Sequence, residues 1–299
     1  MSEAPIARRV VERMRRLVRS KVTNLAAFRE GNAYAEALQS TVATPEHLKE
    51  THPGFAIYAH VQNQMSVMAE QLLQLREMKA FGKLIGAAQD EYLPSWPPMS
   101  PVTTSFFWSW ATFDAAVSAH RETLGSVTLR VATEFGVHPT MLALMRIFTV
   151  SRMGIYRLVG HHGSQVQLRD LVTDQLCRAV CESGYSGNIG ELWFARVLPP
   201  ALPTHTAHVV FTSPYVLIAP DVTGWLEYFD RIAAKNPQRA RIEALERHLK
   251  WGTSPRYWTE FVFEGYVNHA PGAIFLKGLP DIAQSRPHSR EYGHHAAGH

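Results

Sequence analysis

The sequence predicts an α+β protein with a mainly α-helical N-terminal domain, a small five-stranded SH3-like β-barrel and C-terminal helices. Three observations predict it: apolar residues recur at helical spacing up to about residue 150, short partly alternating segments rich in β-branched and aromatic residues follow from Gly154, and helical spacing returns after Pro220. With 299 residues, 46% of them hydrophobic, the chain can build more than one core. We expect domains at 1–150, 151–219 and 220–283, and a disordered His-rich tail at 284–299.

Four helical patterns fill the N-terminal half. Residues 8–28 predict an amphipathic helix with arginines opposite its apolar side, and 55–79 predict a second helix with a Met-rich core stripe. Four prolines in 94–101 predict a rigid connector. A third helix begins near Thr104, and its apolar stripe runs through Phe106, Trp110, Phe113 and His120 to Val131. A short helix is expected at 139–151.

Five short runs rich in β-branched and aromatic residues follow, separated by turn residues, and predict a small bent barrel. They are 154–160, 164–169, 175–180, 190–198 and 207–218. Asp221 is then the expected N-cap of a helix at 222–234, and 238–250 is the next helix. Ser254 and Pro255 are expected to start a last helix that continues to Tyr266.

The stretch 154–199 resembles a small β-barrel module of uncharacterised bacterial proteins. In that module a strand ending in a G-x-x-G turn precedes an L-R-D-L-x-T segment, and a later strand carries G-x-L-W-x-A-R-V-x-P. The resemblance implies a barrel and a bacterial origin, and it brings no catalytic residues. The matching residues are Gly160, Gly163, Leu168, Arg169, Asp170, Leu171, Thr173, Gly190, Leu192, Ala195, Arg196, Val197 and Pro199.

Positive charge is concentrated in the first helix. Between Arg8 and Lys21 there are seven basic residues and one acid, Glu12, so this segment carries +6 while the rest of the chain carries −2. Guanidinium groups form bidentate contacts with phosphates and carboxylates. The candidate anion-binding residues are Arg8, Arg9, Arg13, Arg15, Arg16 and Arg19.

Three interpretations of this arginine face remain open. The arginines can pair with acids of the same or a partner chain, or be a solvated face. They can bind nucleic acid with a salt-dependent contribution. They can also contact an acidic protein or a membrane surface, although the apolar side lacks Trp or Phe in its first turns, which disfavours interfacial insertion.

Signals for catalysis are sparse. The sequence has no P-loop, no G-x-S-x-G elbow and no dinucleotide-binding glycine motif. Cys177 and Cys181 are about 13 Å apart if they share a strand, too far for one metal or a disulfide. Glu134 and His138 have ligand spacing, but Gly136 and Pro139 favour a capping or surface role for His138.

His120 is the candidate metal ligand. It falls on the apolar stripe of an aromatic helix, where a core histidine bonded to a neighbouring helix is the simpler interpretation. A ligand role needs a carboxylate or histidine from another helix, such as His60, Asp90 or Glu91. The histidines of the tail are expected to be solvated, and no cofactor is predicted.

The leading hypothesis is a non-catalytic binding or adaptor protein of a bacterial cytoplasm. Its basic helix would contact an anionic partner, and the partner is expected to be another protein or nucleic acid. The sequence shows no secretory signal and no transmembrane segment. Two alternatives remain: a metal-dependent enzyme with His120 and helix carboxylates as ligands, and a subunit of a larger assembly.

Overall fold

A computed structural model describes residues 5–19, 33, 36–37, 48–93, 100–202 and 206–282. Its N-terminal part is helical, as predicted, and a two-stranded hairpin of β1 (Ala116–Val117) and β2 (Glu122–Thr123) interrupts it. Residues 20–28, most of the predicted connector (94–99) and the tail 284–299 lie outside the described residues. The helices are α1 (Ile6–Arg19), α2 (Pro53–Leu73), α3 (Lys79–Tyr92, after a 3₁₀ turn at Arg76–Met78), α4 (Thr104–Phe113), α5 (Leu124–Glu134) and α6 (Pro139–Val150).

The barrel is confirmed, and it is closed. Its strands pair in the ring order β3–β4–β5–β7–β6, and antiparallel pairing of β6 with β3 completes the ring. All pairs in the ring are antiparallel except β5 with β7. A closed ring leaves no unpaired strand edge. The strands are β3 (Met153–His162), β4 (Gln165–Asp170), β5 (Leu176–Cys181), β6 (Leu192–Leu198) and β7 (His208–Val210).

The run 207–218, expected to form one strand, forms two. After β7 the chain breaks at Ser213–Pro214, and β8 (Tyr215–Ala219) pairs with the first half of β6 outside the ring. Proline has no N–H for a strand ladder, which explains the break. β8 then pairs in parallel with β10 (Ala273–Lys277), which forms an antiparallel hairpin with β9 (Tyr266–Ala270).

The C-terminal helices are α7 (Val222–Ala234), α8 (Arg241–Trp251) and α9 (Tyr257–Glu264). Asp221 is the N-cap of α7, as predicted, and accepts a hydrogen bond from Gly224 N at 3.1 Å. The prediction that Ser254 and Pro255 start the last helix is wrong by two residues. The prediction that this helix reaches Tyr266 is also wrong, because α9 ends at Glu264 and Tyr266 begins β9.

The helices pack on the outer wall of the barrel, and β6 is buried on both faces. Trp193 and Ala195 belong to the cluster inside the barrel, while Leu192 and Phe194 belong to the larger core shared with the helices. This is the two-residue period of a strand. The Phe194 ring lies 5.0 Å from that of Trp258, which joins the barrel wall to α9. Among the described residues, no helix is both long and apolar enough to cross a membrane.

Candidate anion-binding surface

α1 packs with its apolar side on the neighbouring helices, and most of its arginines are exposed. Ile6, Val10 and Val11 are buried, and α1 packs mainly against α5. The helix thereby has the amphipathic orientation that the sequence predicts. Arg9 is half-buried, and the other five candidate residues are exposed: Arg8, Arg13, Arg15, Arg16 and Arg19.

The start of α1 is fixed by a carboxylate from the β1–β2 hairpin. The two carboxylate oxygens of Glu122, which is only 8% exposed, accept hydrogen bonds from Ile6 N at 2.7 Å and Ala7 N at 2.8 Å. Ser118 Oγ donates to the same carboxylate at 3.2 Å. A negative charge at a helix N-terminus satisfies free N–H groups and complements the helix dipole. Glu122 therefore anchors the arginine-bearing helix.

Only part of the arginine face is neutralised. Arg8 Nε donates to Glu12 at 2.9 Å, Arg15 forms an ion pair with Glu134, and Arg16 Nε donates to the Glu12 carbonyl at 3.3 Å. Both ion pairs are solvent-exposed, and such pairs contribute little to stability. Arg13 and Arg19 form no ion pair with the described residues. The face is therefore open to an external anion.

A cleft of about 450 Å³ between α1 and α5 adds an arginine that sequence reasoning missed. Its lining includes Arg8, Arg15 and Arg130, together with Glu12 and Glu134. Arg130 is exposed and forms no ion pair within the described part of the chain. Its placement beside α1 depends on tertiary packing, so no local pattern could have shown it. Phosphate and carboxylate groups suit a cleft with more guanidinium groups than carboxylates.

His120 is not on a buried helix stripe, and that prediction is wrong. α4 ends at Phe113, and His120 is exposed in the turn between β1 and β2. α4 ends immediately before Asp114, whose carboxylate is bonded to Arg196 and Lys250 in a buried cluster. In the part of the chain that the structure describes, no three His, Cys, Asp or Glu side chains are arranged to hold a metal. His138 is the N-cap of α6, as predicted, and accepts from Thr140 N at 3.3 Å.

Two buried ion clusters hold α8 to the barrel. In the first, Arg196 is paired with Asp114, and Lys250 Nζ lies 3.3 Å from the same carboxylate. In the second, Arg152 donates to Glu246 at 2.6 and 2.8 Å and to Asp170 at 2.9 Å. Burial lowers the pKa of Lys250 to about 8, although Asp114 opposes this shift. Since these groups bond to one another, we assign them a structural role.

The cysteines show no activated thiol. Cys177 and Cys181 are free, and both lie in β5 as the sequence suggests. Burial raises the pKa of Cys177 to about 11 and also raises the pKa of Cys181. A thiol nucleophile or metal ligand must be deprotonated, so raised pKa values disfavour both roles.

A second cavity, of about 740 Å³, lies between the first turns of α2 and α6. Its lining is largely apolar and includes Ala56, Val61 and Leu144. Its basic and histidine residues, Lys49, His60 and His138, are all exposed. Among its described lining residues, the cavity therefore offers apolar contacts and no buried charged group that would fix an ionic ligand.

No family model matches this chain, and neither a curated protein nor a solved structure shows significant similarity to it. The resemblance of 154–199 to a bacterial barrel module therefore stays a prediction. Evidence for function has to come from the geometry of the chain itself, and the arginine face of α1 is its most concentrated charged feature.

Proposed function

We propose that this protein is a non-catalytic binding protein of the bacterial cytoplasm, and that the arginine face of α1 contacts an anionic partner, either nucleic acid or an acidic protein. The compartment is inferred from two free cysteines and from the bacterial resemblance. Binding requires the arginines to be accessible and not neutralised by the fold.

The observation that carries this proposal is the exposure of Arg13, Arg16 and Arg19 without a carboxylate partner in the described structure. The positive charges of Arg13, Arg16 and Arg19 lie on successive turns of one helix and repel one another. A bound polyanion would reduce this repulsion as well as form new contacts. Folding does not require these side chains, because the buried side of α1 is formed by Ile6, Val10 and Val11.

The test compares two triple variants that remove the same charge. In one, Arg13→Gln, Arg16→Gln and Arg19→Gln change the α1 face. In the matched control, Arg146→Gln, Arg157→Gln and Arg178→Gln remove three exposed arginines of α6, β3 and β5, none of which forms an ion pair with the described residues. Glutamine is a good helix former, so α1 should keep its structure.

Binding is measured by fluorescence anisotropy at about 50 mM salt with labelled duplex DNA and labelled polyglutamate. We expect the wild-type protein to bind at least one probe, the α1 variant to bind it about ten-fold or more weakly, and the control to bind it within about two-fold of wild type. The proposal is overturned if wild type binds neither probe, or if both variants lose the same affinity.

A further inference from the structure

Two more arginines meet at one aromatic ring. Trp251 is the last residue of α8, and Arg247 lies one turn before it, while Arg121 comes from the β1–β2 turn. The Cζ atoms of Arg121 and Arg247 are each 5.2 Å from the centroid of the Trp251 ring. The two guanidinium groups are therefore no more than about 10 Å apart and are held by cation–π contacts.

The two guanidinium groups are accessible to different extents, since Arg121 is exposed and Arg247 is half-buried. Neither arginine forms an ion pair with the residues that the structure describes. By contrast, the guanidinium group of Arg256, at the start of α9, is held over the Tyr92 ring and is also paired with Glu91. An aromatic face orients a guanidinium group but does not neutralise it, so its N–H donors can still bind an anion.

The β1–β2 turn ties this pair of arginines to α1. Ser118 and Arg121 adopt φ values of 67° and 50°, a left-handed conformation that non-glycine residues rarely adopt. Arg121 N donates to Ser118 O at 3.2 Å, which helps to hold the turn. The next residue, Glu122, accepts the first N–H groups of α1. Arg121 is thus fixed near the N-terminal end of the arginine face.

We infer that Arg121 and Arg247, supported by Trp251, form a second anion-binding site, and that the ligand of both sites is the phosphodiester backbone of nucleic acid. This inference rests on the proposed function and names its partner class. The hairpin carries both Arg121 and Glu122, so the second site adjoins the N-terminal end of α1, and the inference includes one extended polyanion that contacts both sites.

The density of positive charge favours nucleic acid over an acidic protein. Arg13, Arg16 and Arg19 follow one another at axial steps of about 4.5 Å, and each step turns the side chain by about 60° around α1, so they form a broad positive patch. A nucleic-acid strand carries a negative charge at about every 3.4 Å of its axis. Interfaces with nucleic acid are much more positively charged than protein–protein interfaces, whose centres are depleted of charged residues.

The test uses the full-length protein and the double variant Arg121→Asn with Arg247→Gln. Asparagine is chosen because it tolerates the left-handed conformation at position 121. The matched control is Arg146→Gln with Arg178→Gln, which removes two exposed arginines elsewhere. A single variant, Arg247→Lys, keeps the charge but loses the planar group. Equal urea midpoints for all variants show that the fold is retained.

Affinity is measured against salt concentration for a duplex and a single strand of about 20 nucleotides and for polyglutamate of the same charge. We expect tighter binding to at least one nucleic acid than to polyglutamate. The double variant should make the fall of log K with log salt shallower by about 2, because two arginine contacts with phosphates are removed. The control should leave this slope unchanged. Arg247→Lys should keep most of the slope while weakening binding a few-fold.

The failures of the two proposals are distinguishable. An unchanged slope and affinity in the double variant overturn the second site but leave the α1 proposal intact. Equal or tighter binding to polyglutamate overturns the assignment to nucleic acid and leaves an acidic protein as the partner. If no probe binds at low salt, both the inference and the proposed function are wrong.

Discussion

Two buried arginines lie in the seam between the barrel and α8, and both are paired with carboxylates, whereas on α1 most arginines are exposed and only two form ion pairs with the described residues. Arg196 is fully buried and paired with Asp114, and Arg152 is 9% exposed and bound by Asp170 and Glu246. On α1, the pairs of Arg8 with Glu12 and Arg15 with Glu134 are solvent-exposed.

This comparison distinguishes charged side chains that the fold requires from charged side chains that it does not require. An unpaired charge in the interior costs several kcal/mol, so a buried arginine without a carboxylate would not persist in a stable fold. No such constraint acts on an exposed arginine, because water solvates it. The seam arginines are therefore explained by folding, whereas folding does not require the exposed α1 arginines, and anion binding is the role that we propose for them.

The largest expected effect comes from removing the seam carboxylate. Asp114→Ala leaves Arg196 buried without its counter-ion and removes the partner of Lys250 as well. We expect the free energy of unfolding to fall by about 3–5 kcal/mol, measured by urea denaturation. As a control, Asp230→Ala breaks the exposed pair with Arg241 and should cost less than about 1 kcal/mol. Equal losses in the two variants would contradict the distinction between the regions.

A second effect depends on pH and on His248 of α8. Burial lowers the pKa of this residue to about 4, Lys235 adds to the shift and Asp281 opposes it. Its Nε2 lies within hydrogen-bond distance of the Tyr228 hydroxyl, whose neighbour is the hydroxyl of Tyr257. Because the folded-state pKa lies below the ordinary value of 6.5, the unfolded chain takes up this proton first as the pH falls.

The stability that His248 contributes above pH 6.5 should therefore be lost as the pH falls towards 4. We expect the free energy of unfolding to fall by about 3 kcal/mol over this range because of His248. Urea titrations across this range measure the loss. His248→Gln should give a shallower acid dependence, whereas His60→Gln, at an exposed position of α2, should leave the dependence unchanged. A steep acid dependence that persists in His248→Gln would assign the loss to other groups.

The third prediction concerns the anchor of α1. Glu122→Ala removes the acceptor of two backbone N–H groups and a favourable charge at the helix N-terminus, so we expect a loss of about 1–2 kcal/mol. Hydrogen exchange should show faster exchange in the first turn of α1. Glu122→Gln keeps one acceptor oxygen and should lose less. Unchanged exchange in both variants would show that buried apolar contacts alone hold the helix.

The sequence correctly predicted the helices and strands whose residue pattern lies within one short segment. The strand pattern of the barrel segments and the opposite sides of α1 can both be read over a few residues, and the barrel and the orientation of α1 are confirmed in the structure. The expected helix through His120 fails because Asp114 meets Arg196, 82 residues away, and Lys250, 136 residues away. Spacing within one segment contains no information about such partners.

The same limit applies to the candidate site. The six arginines of α1 could be predicted because one helix carries them all, but Glu122 reaches Ile6 over 116 residues and Arg130 becomes relevant only when α5 packs on α1. The spacing of Arg247 and Trp251, four residues apart near the end of a predicted helix, was a usable signal. Arg121 could not be added to them before the β1–β2 turn was known.

The smallest expected effect on stability comes from Glu12→Gln, which removes the acid within the arginine face. Its pair with Arg8 is exposed, so the free energy of unfolding should change by less than about 0.5 kcal/mol. Binding should respond in the opposite direction: releasing Arg8 should strengthen binding of the anionic probe a few-fold at low salt and steepen the salt dependence by up to about 1. Glu227→Gln, at an exposed position of α7, removes the same charge away from the face and should leave both quantities nearly unchanged. A gain confined to Glu12→Gln would locate the anion on this face of α1, because net charge is equal in the two variants. Equal gains in both would mean that overall charge, and not the arginine face, governs binding.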